Sequence, residues 1–284
     1  MLKIVTDGGA DMPDGWQDEY KIDILPLYIR FGEVTFTQGE DISPTSFYKM
    51  VETTKQIPHT SLPTPHGIVE FYRKIAKKDD RILSVHLSSK LSGTFAAVEM
   101  AKNELLGELD VYPFDSGSGS AIMGLMCREA RILDTTGTSF QDILTRLEII
   151  KKRITCIFTV DNLEFAYLNG RVNAIQTAIS SILNVKPIIM LRDGLLQMTE
   201  KVRTRKRSID RILEILRERV GRQRINIAVV HAADPDAAKS IKEAIQKLFD
   251  VKEIILTELS IPVAANLGPG TVGIFAYPVD GLEG

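Results

Sequence analysis

Through its first 152 residues this chain alternates strand-length apolar runs with helix-length segments. That alternation restricts the region to a parallel sheet with helices on both faces. Strands are predicted at residues 2–6, 81–86 and 109–114, with β-rich stretches at 22–25 and 27–36. Ser43-Pro44 and Thr64-Pro65 each place a capping hydroxyl before a proline at the first helical position. They predict helices running to about residues 53 and 77. Further helices are expected at 92–106, 118–133 and 139–152.

The second half breaks this rhythm. A strand at 154–160 and a short helix at 163–168 precede a predicted helix at 175–183. Two strands, 187–191 and 196–202, flank Asp193-Gly194 and read as a hairpin. Residues 205–219 form an amphipathic helix with Ile209, Ile212, Leu213 and Leu216 on one face. Strands at 225–231, 251–256 and 273–277 and a helix at 234–248 complete the pattern. A hairpin mixed with crossovers predicts a mixed sheet. The expected fold class is α/β in two domains: an N-terminal parallel-sheet α/β domain over residues 1–152 and a C-terminal mixed-sheet α+β domain over residues 153–284. A chain of 284 residues is long enough for two cores.

A net charge of −2 gives no global attraction to nucleic acid or to an anionic membrane. Cys127 and Cys156 lie far apart in apolar stretches and read as core thiols of a reducing compartment. No CxxC or Cys/His ligand spacing occurs, so no metal is expected. The chain enters a strand directly after Met1 and has no run of about 18 apolar residues, so no signal peptide and no membrane span are expected, and the predicted location is cytoplasmic.

Parallel sheets bind ligands at the carboxyl ends of their strands. Four turns there are dense in hydroxyls and small residues: Asp7-Gly8-Gly9-Ala10-Asp11, His59-Thr60-Ser61-Leu62-Pro63, residues 87–94, and Asp115-Ser116-Gly117-Ser118-Gly119-Ser120. Ser92-Gly93-Thr94 opens a helix, where free backbone N–H groups and the helix dipole favour an anion. Gly93 allows a ligand close to the backbone. The plainer alternative is that Ser92, Thr94 and Ser118 only cap helices.

Several chemistries are absent. There is no G-x-x-x-x-G-K-[ST] loop, no G-x-S-x-G elbow and no H-E-x-x-H, and Gly117, Gly119 and Gly124 depart from G-x-G-x-x-G spacing. His86 and His231 sit at strand ends as packing residues, while His59 borders the Thr60-Ser61 turn. No base is paired with a serine, which leaves a hydrolase without support. The run Lys201-Val202-Arg203-Thr204-Arg205-Lys206-Arg207 begins a helix, where the dipole disfavours cations, and an anionic ligand or partner would offset that cost. An enzyme or sensor for a small phosphorylated or nucleotide-like anion is the alternative function these turns allow, and a nucleic-acid-binding or scaffolding protein is a third class.

Seven pieces, in order, are similar to the DegV family: Thr60-Ser61-Leu62-Pro63-Thr64, Leu91-Ser92-Gly93-Thr94, Asp115-Ser116, Asn169-Gly170-Arg171-Val172, Lys186-Pro187-Ile188, Lys201-Val202-Arg203-Thr204 and Gly268-Pro269-Gly270. The resemblance covers nearly the whole chain. It implies a lipid-binding protein, not an enzyme by itself, that holds one long-chain fatty acid such as palmitate or oleate between its two domains without a cofactor. Thr60, Ser61, Ser92, Gly93 and Asn266 are the implied carboxylate-binding residues. Arg171 and Arg203 are implied at the head-group mouth, where phosphate or a partner would sit. Some bacterial members present the carboxylate to a separate ATP-binding fatty acid kinase subunit that makes acyl-phosphate. Three positions depart from the family pattern: Asn266 stands for a histidine and Lys90 and Asn169 for glycines. Asn266 can donate a hydrogen bond but cannot carry a positive charge. A tail of roughly fifteen methylenes would gain about 12 kcal/mol at ~0.8 each. That exceeds the ~1.5–3 kcal/mol of each head-group hydrogen bond, so the tail supplies most of the affinity. Ile122, Met123, Leu125, Met126, Ile179, Ile182 and Ile188 are candidate tail contacts.

Overall fold

A computed structural model describes residues 1–171 and 185–279. The predicted helix at 175–183, with Ile179 and Ile182, and Val172 fall outside the described residues. The chain forms two compact units: Met1–Lys151 with Ser260–Pro262, and Lys152–Leu259 with Val263–Gly284.

The first unit is built on β1 (Leu2–Asp7), β2 (Ile22–Leu25), β6 (Arg81–His86) and β7 (Asp110–Asp115). They form a wholly parallel sheet in the order β2-β1-β6-β7. Their runs of Ile, Leu and Val are buried, as strands covered on both faces require. Helices α3 (Pro65–Ile75) and α4 (Thr94–Glu104) bury Ile68, Val69, Ala97, Val98 and Ala101 in one cluster with Val5, Ile82 and Val111. Helix α5 (Ala121–Thr135) buries Ile122, Met123, Leu125 and Met126 and packs on β1 and β6, and α1 (Trp16–Glu19) and α6 (Phe140–Arg153) belong to the same unit. The predicted caps of α2 (Pro44–Thr54) and α3 are present. Ser43 Oγ accepts the Ser46 N–H at 3.2 Å, and Thr64 Oγ1 accepts the Gly67 N–H at 3.1 Å.

One expected turn is a strand. His59-Thr60-Ser61 does not follow a strand of the parallel sheet. It is β5 (His59–Ser61), an antiparallel partner of β3 (Tyr28–Phe31), which also pairs with β4 (Val34–Thr37). Ile29 opposite Thr60 and Tyr28 opposite Ser61 set its register.

The second unit holds β8 (Thr155–Thr159), β9 (Lys186–Arg192), β10 (Leu195–Val202), β11 (Ile225–His231), β12 (Val251–Glu258) and β13 (Val272–Pro278). They form a mixed sheet in the order β10-β9-β8-β13-β11-β12. The β9–β10 hairpin turns on Asp193 and Gly194, at φ 49° and 76°, the positive values a two-residue hairpin needs. Helix α8 (Arg205–Val220) starts at a Thr204 cap and buries Ile212, Ile215 and Leu216. Helix α9 (Pro235–Leu248) crosses between the parallel strands β11 and β12. Among the described residues this unit also has two short helices, α7 (Glu164–Leu168) and α10 (Ile261–Leu267), the latter absent from the sequence-based expectation and begun by residues of the first unit. Among the described residues no helix is long and apolar enough to cross a membrane.

Candidate ligand-binding turns

At the carboxyl ends of β1, β6 and β7 three turns are locked together by backbone bonds. The Ser120 N–H donates to the Gly9 carbonyl at 2.9 Å, Ser88 N–H to the Ser118 carbonyl at 2.7 Å, and Ser116 N–H to the His86 carbonyl at 3.1 Å. The Asp7 carboxylate adds a clamp by accepting the N–H of Gly9 at 2.9 Å and of Leu87 at 3.0 Å. The Leu87 side chain fills the space over two glycines. A Cβ on Gly9 or on Gly119 would come within 2.6 Å of it.

From this lock the chain winds into α4. The Ser88 carbonyl accepts the N–H groups of Leu91 at 2.8 Å and Ser92 at 3.0 Å. Ser92 Oγ lies 2.8 Å from Thr94 Oγ1 and accepts the Thr94 N–H at 3.2 Å. Gly93 occupies the N-cap position and offers no side chain, so the first-turn N–H groups of Phe95 and Ala96 fall outside the helix's own ladder. Ser92 therefore shapes the turn and carries a half-buried hydroxyl at a helix start. It is not the cap that the sequence allowed. A Cβ on Gly93 would meet Leu62 at 3.3 Å, which puts the segment just after Thr60 and Ser61 against this turn. Ser61 is exposed and Thr60 half-buried.

Two further polar groups stand in the same turns. Ser118 Oγ is buried and has no hydrogen-bond partner among the described residues. Nothing in its sequence context distinguishes it from the neighbouring serines. The Asp11 carboxylate is also buried, accepting a bond from Ser120 Oγ and the Ser260 N–H at 2.7 Å. Burial pushes its pKa up to about 6, against the lowering effect of those bonds. His86 is wholly buried and hydrogen-bonded to Ser84 and Asp7, a polar role beyond the packing expected of it, and His59 is exposed on β5.

Arg171, Arg203 and Asn266 belong to the second unit. Asn169, in place of a family glycine, has a definite task. Its amide donates to the carbonyls of Phe165 and Ala265, each at 3.1 Å, tying α7 to α10. The left-handed conformation that the tight turn needs falls on Gly170, at φ 68°. Arg171 then folds its guanidinium back onto the Asn169 carbonyl. Asn266 is half-buried near the end of α10, just before Gly268 and Gly270 at φ 83° and 78°. Added Cβ atoms there would come within 2.8 Å of Phe165 and Asp161, so both positions need glycine.

The basic run is partly neutralised from within the unit. Arg205 donates to Asp234 at 2.6 Å, and Arg207 to Glu214 at 3.0 Å. For these two cations carboxylates, not an external anion, offset the unfavourable helix dipole. Lys201, Arg203 and Lys206 are exposed. Among the described residues no group of His, Cys, Asp and Glu could hold a metal ion.

Known proteins match this chain along almost its whole length. It is 33% identical over 275 residues to Protein DegV of Bacillus subtilis, covering 96% of this chain and 98% of the relative. It is 29% identical over 278 residues to a Thermotoga maritima protein described as a fatty acid-binding protein, covering 96% of each. A solved structure described as the fatty acid binding of a DegV family protein from Thermus thermophilus superposes with a TM-score of 0.89 at 30% identity, over 98% of this chain and 99% of that one. The family model for uncharacterised DegV proteins matches residues 1–279, and the chain belongs to the DegV family.

Proposed function

We propose that this chain binds a long-chain fatty acid, with the carboxylate held at the start of α4, and that it does no chemistry alone. The observation that carries the proposal is the Ser92-Gly93 turn itself, which brings a hydroxyl and a residue without a side chain to the start of α4. A carboxylate there would accept charge-assisted hydrogen bonds, each contributing about 1.5–3 kcal/mol. Thr60 and Ser61 supply further hydroxyls beside Leu62. The relatives from Thermus thermophilus and Thermotoga maritima, described as binding fatty acids, support this ligand class. An apolar tail in a tunnel supplies most of the affinity and the polar turn fixes the orientation.

Arg171 and Arg203 carry a second part of the proposal. Two cations suit a phosphorylated head group or a separate ATP-binding kinase subunit to which the carboxylate is presented. Replacing Arg203 with alanine is expected to spare fatty-acid binding and to reduce acyl-phosphate formation when such a subunit and ATP are supplied. Loss of lipid binding instead would make Arg203 a carboxylate ligand.

The ligand is tested by denaturing the purified protein and identifying released lipid by mass spectrometry, then adding palmitate or oleate. Neither released nor added fatty acid being bound would refute the proposal. Thermal stabilisation by nucleotides or sugar phosphates, and not by fatty acids, would assign the turns to a small phosphorylated anion.

A further inference from the structure

Four side chains of the first unit form a single hydrogen-bonded line that contact with a ligand does not explain. Tyr72 Oη on α3 lies 2.7 Å from Ser84 Oγ on β6, and Ser84 Oγ lies 2.7 Å from His86 Nε2. His86 Nδ1 lies 3.0 Å from Asp7 Oδ2 at the end of β1. All four residues have no exposed surface. Polar groups in such a place are costly unless every one is satisfied.

The chemistry fixes where the protons sit. Both Asp7 oxygens already accept backbone N–H groups, so Asp7 is the acceptor of this pair and the hydrogen is assigned to His86 Nδ1. Nε2 is then free to accept from the Ser84 hydroxyl, and Ser84 in turn accepts from Tyr72. Burial pushes the Tyr72 pKa up, which keeps its phenol protonated. With a neutral His86 every polar hydrogen of the line has an acceptor. A doubly protonated His86 would turn the Ser84 hydroxyl towards Tyr72 and strand the phenol hydrogen.

The line ends on the group that clamps the ligand turns. Asp7 Oδ1 holds the Gly9 N–H, and Oδ2 holds the Leu87 N–H beside His86. Leu87 leads directly to Ser88, whose carbonyl winds the turn onto Ser92.

We propose that the Tyr72–Ser84–His86–Asp7 line is the positioning element of the head-group turn, with His86 as its positioning residue. By donating to Asp7, His86 aims the carboxylate at the two backbone N–H groups and so sets the 87–94 turn that presents Ser92 and Gly93. The inference rests on the fatty-acid reading of that turn. Coupling of this kind is reciprocal, so occupancy of the turn must act back on the imidazole.

The test combines two variants with a spectroscopic measurement on the parent. His86→Asn keeps an N–H donor near the place of Nδ1, whereas His86→Leu removes it. Affinity for palmitate is read by displacement of a fluorescent fatty acid, with folding monitored by Trp16 emission. His86→Asn is expected to bind within about threefold of the parent, and folded His86→Leu to bind about tenfold more weakly or worse. In the parent, nitrogen-15 NMR of labelled histidine should show His86 neutral with hydrogen on Nδ1, and its resonances should shift when palmitate is added. Parental affinity in folded His86→Leu would overturn the proposal, as would a hydrogen on Nε2 or imidazole resonances unmoved by saturating palmitate. Should His86→Leu fail to fold, the NMR result decides. A parent that binds no fatty acid overturns the ligand reading as well, while binding by the parent with any contrary result above overturns only the role of His86.

Discussion

Replacing Asp11 with asparagine should stabilise the first unit at neutral pH. The Asp11 carboxyl, ordinarily ionising near 3.8, does so here near 6 because burial penalises its charge. The folded-state value is the higher one, so the protonated form folds more readily than the ionised form. The contribution to stability is full below pH 3.8, falls as pH rises through 6 and stays low above that. A shift of about two units at about 1.4 kcal/mol each puts the cost at neutral pH near 3 kcal/mol. Asparagine keeps the shape. Its Oδ1 can accept the Ser260 N–H and its amide can donate to Ser120 Oγ, without a buried charge. The expected gain is about 2–3 kcal/mol at pH 7, shrinking towards zero near pH 4. Urea unfolding followed by fluorescence suits the purpose, because Trp16 is the single tryptophan and lies in the first unit. Differences between variant and parent at each pH cancel carboxylates such as Asp80 and Glu108, whose pKa values are held down by hydrogen bonds, first of all from the Lys77 N–H and from Arg73 respectively. A variant no more stable than the parent at pH 7, or a gain that persists at pH 4, would show that the buried Asp11 charge does not destabilise the fold.

Three other outcomes are expected. Ser92→Ala should weaken fatty-acid binding by about 1–3 kcal/mol in a competition assay, and unchanged affinity would remove Ser92 from the site. Gly124→Ala would ordinarily stabilise a helix by about 1 kcal/mol. Here the added Cβ would lie 2.4 Å from the Asp11 carbonyl oxygen, so the melting temperature should fall, and a rise would contradict the packing described. Burial pushes the thiols of Cys127 and Cys156 up to about 12. At pH 8 a thiol reagent should leave both untouched until urea unfolds the chain, and prompt labelling of the native protein would show that they are not enclosed.

The elements legible in the sequence are those whose signals are local. Ser43 and Thr64 each cap the helix that their hydroxyl-then-proline signal announced. Asp193-Gly194 made its hairpin. Strand β5 was not legible because three residues, two of them polar and one a histidine, carry no alternation, and Pro58 and Pro63 bracket them like a loop. Its identity comes from β3, far away in sequence. Helix α10 did leave a trace, Ser260 before Ile261-Pro262, the same hydroxyl-then-proline signal seen at α2 with one residue interposed. The Ser92-Gly93 turn could be placed at a helix start from sequence, but not the lock beneath it. His86 meets Asp7 across 79 positions, and Ser120 meets Asp11 across 109. No periodicity encodes such pairs; they exist only once the parallel strands are in register.

The place of β13 has a consequence for synthesis of the chain. This strand, Val272–Pro278, lies between β8 and β11 and hydrogen-bonds to both. Until residue 278 has cleared the ribosome, the sheet of the second unit exists only as two pieces, β10-β9-β8 and β11-β12, each with an open apolar edge on the side that β13 will fill. Open edges of this kind pair readily with the wrong strand. The first unit's parallel sheet needs nothing beyond residue 115 to close its hydrogen bonding. A nascent chain would therefore carry a paired sheet at its front and a divided one behind, and holdase chaperones would find their target in the rear portion.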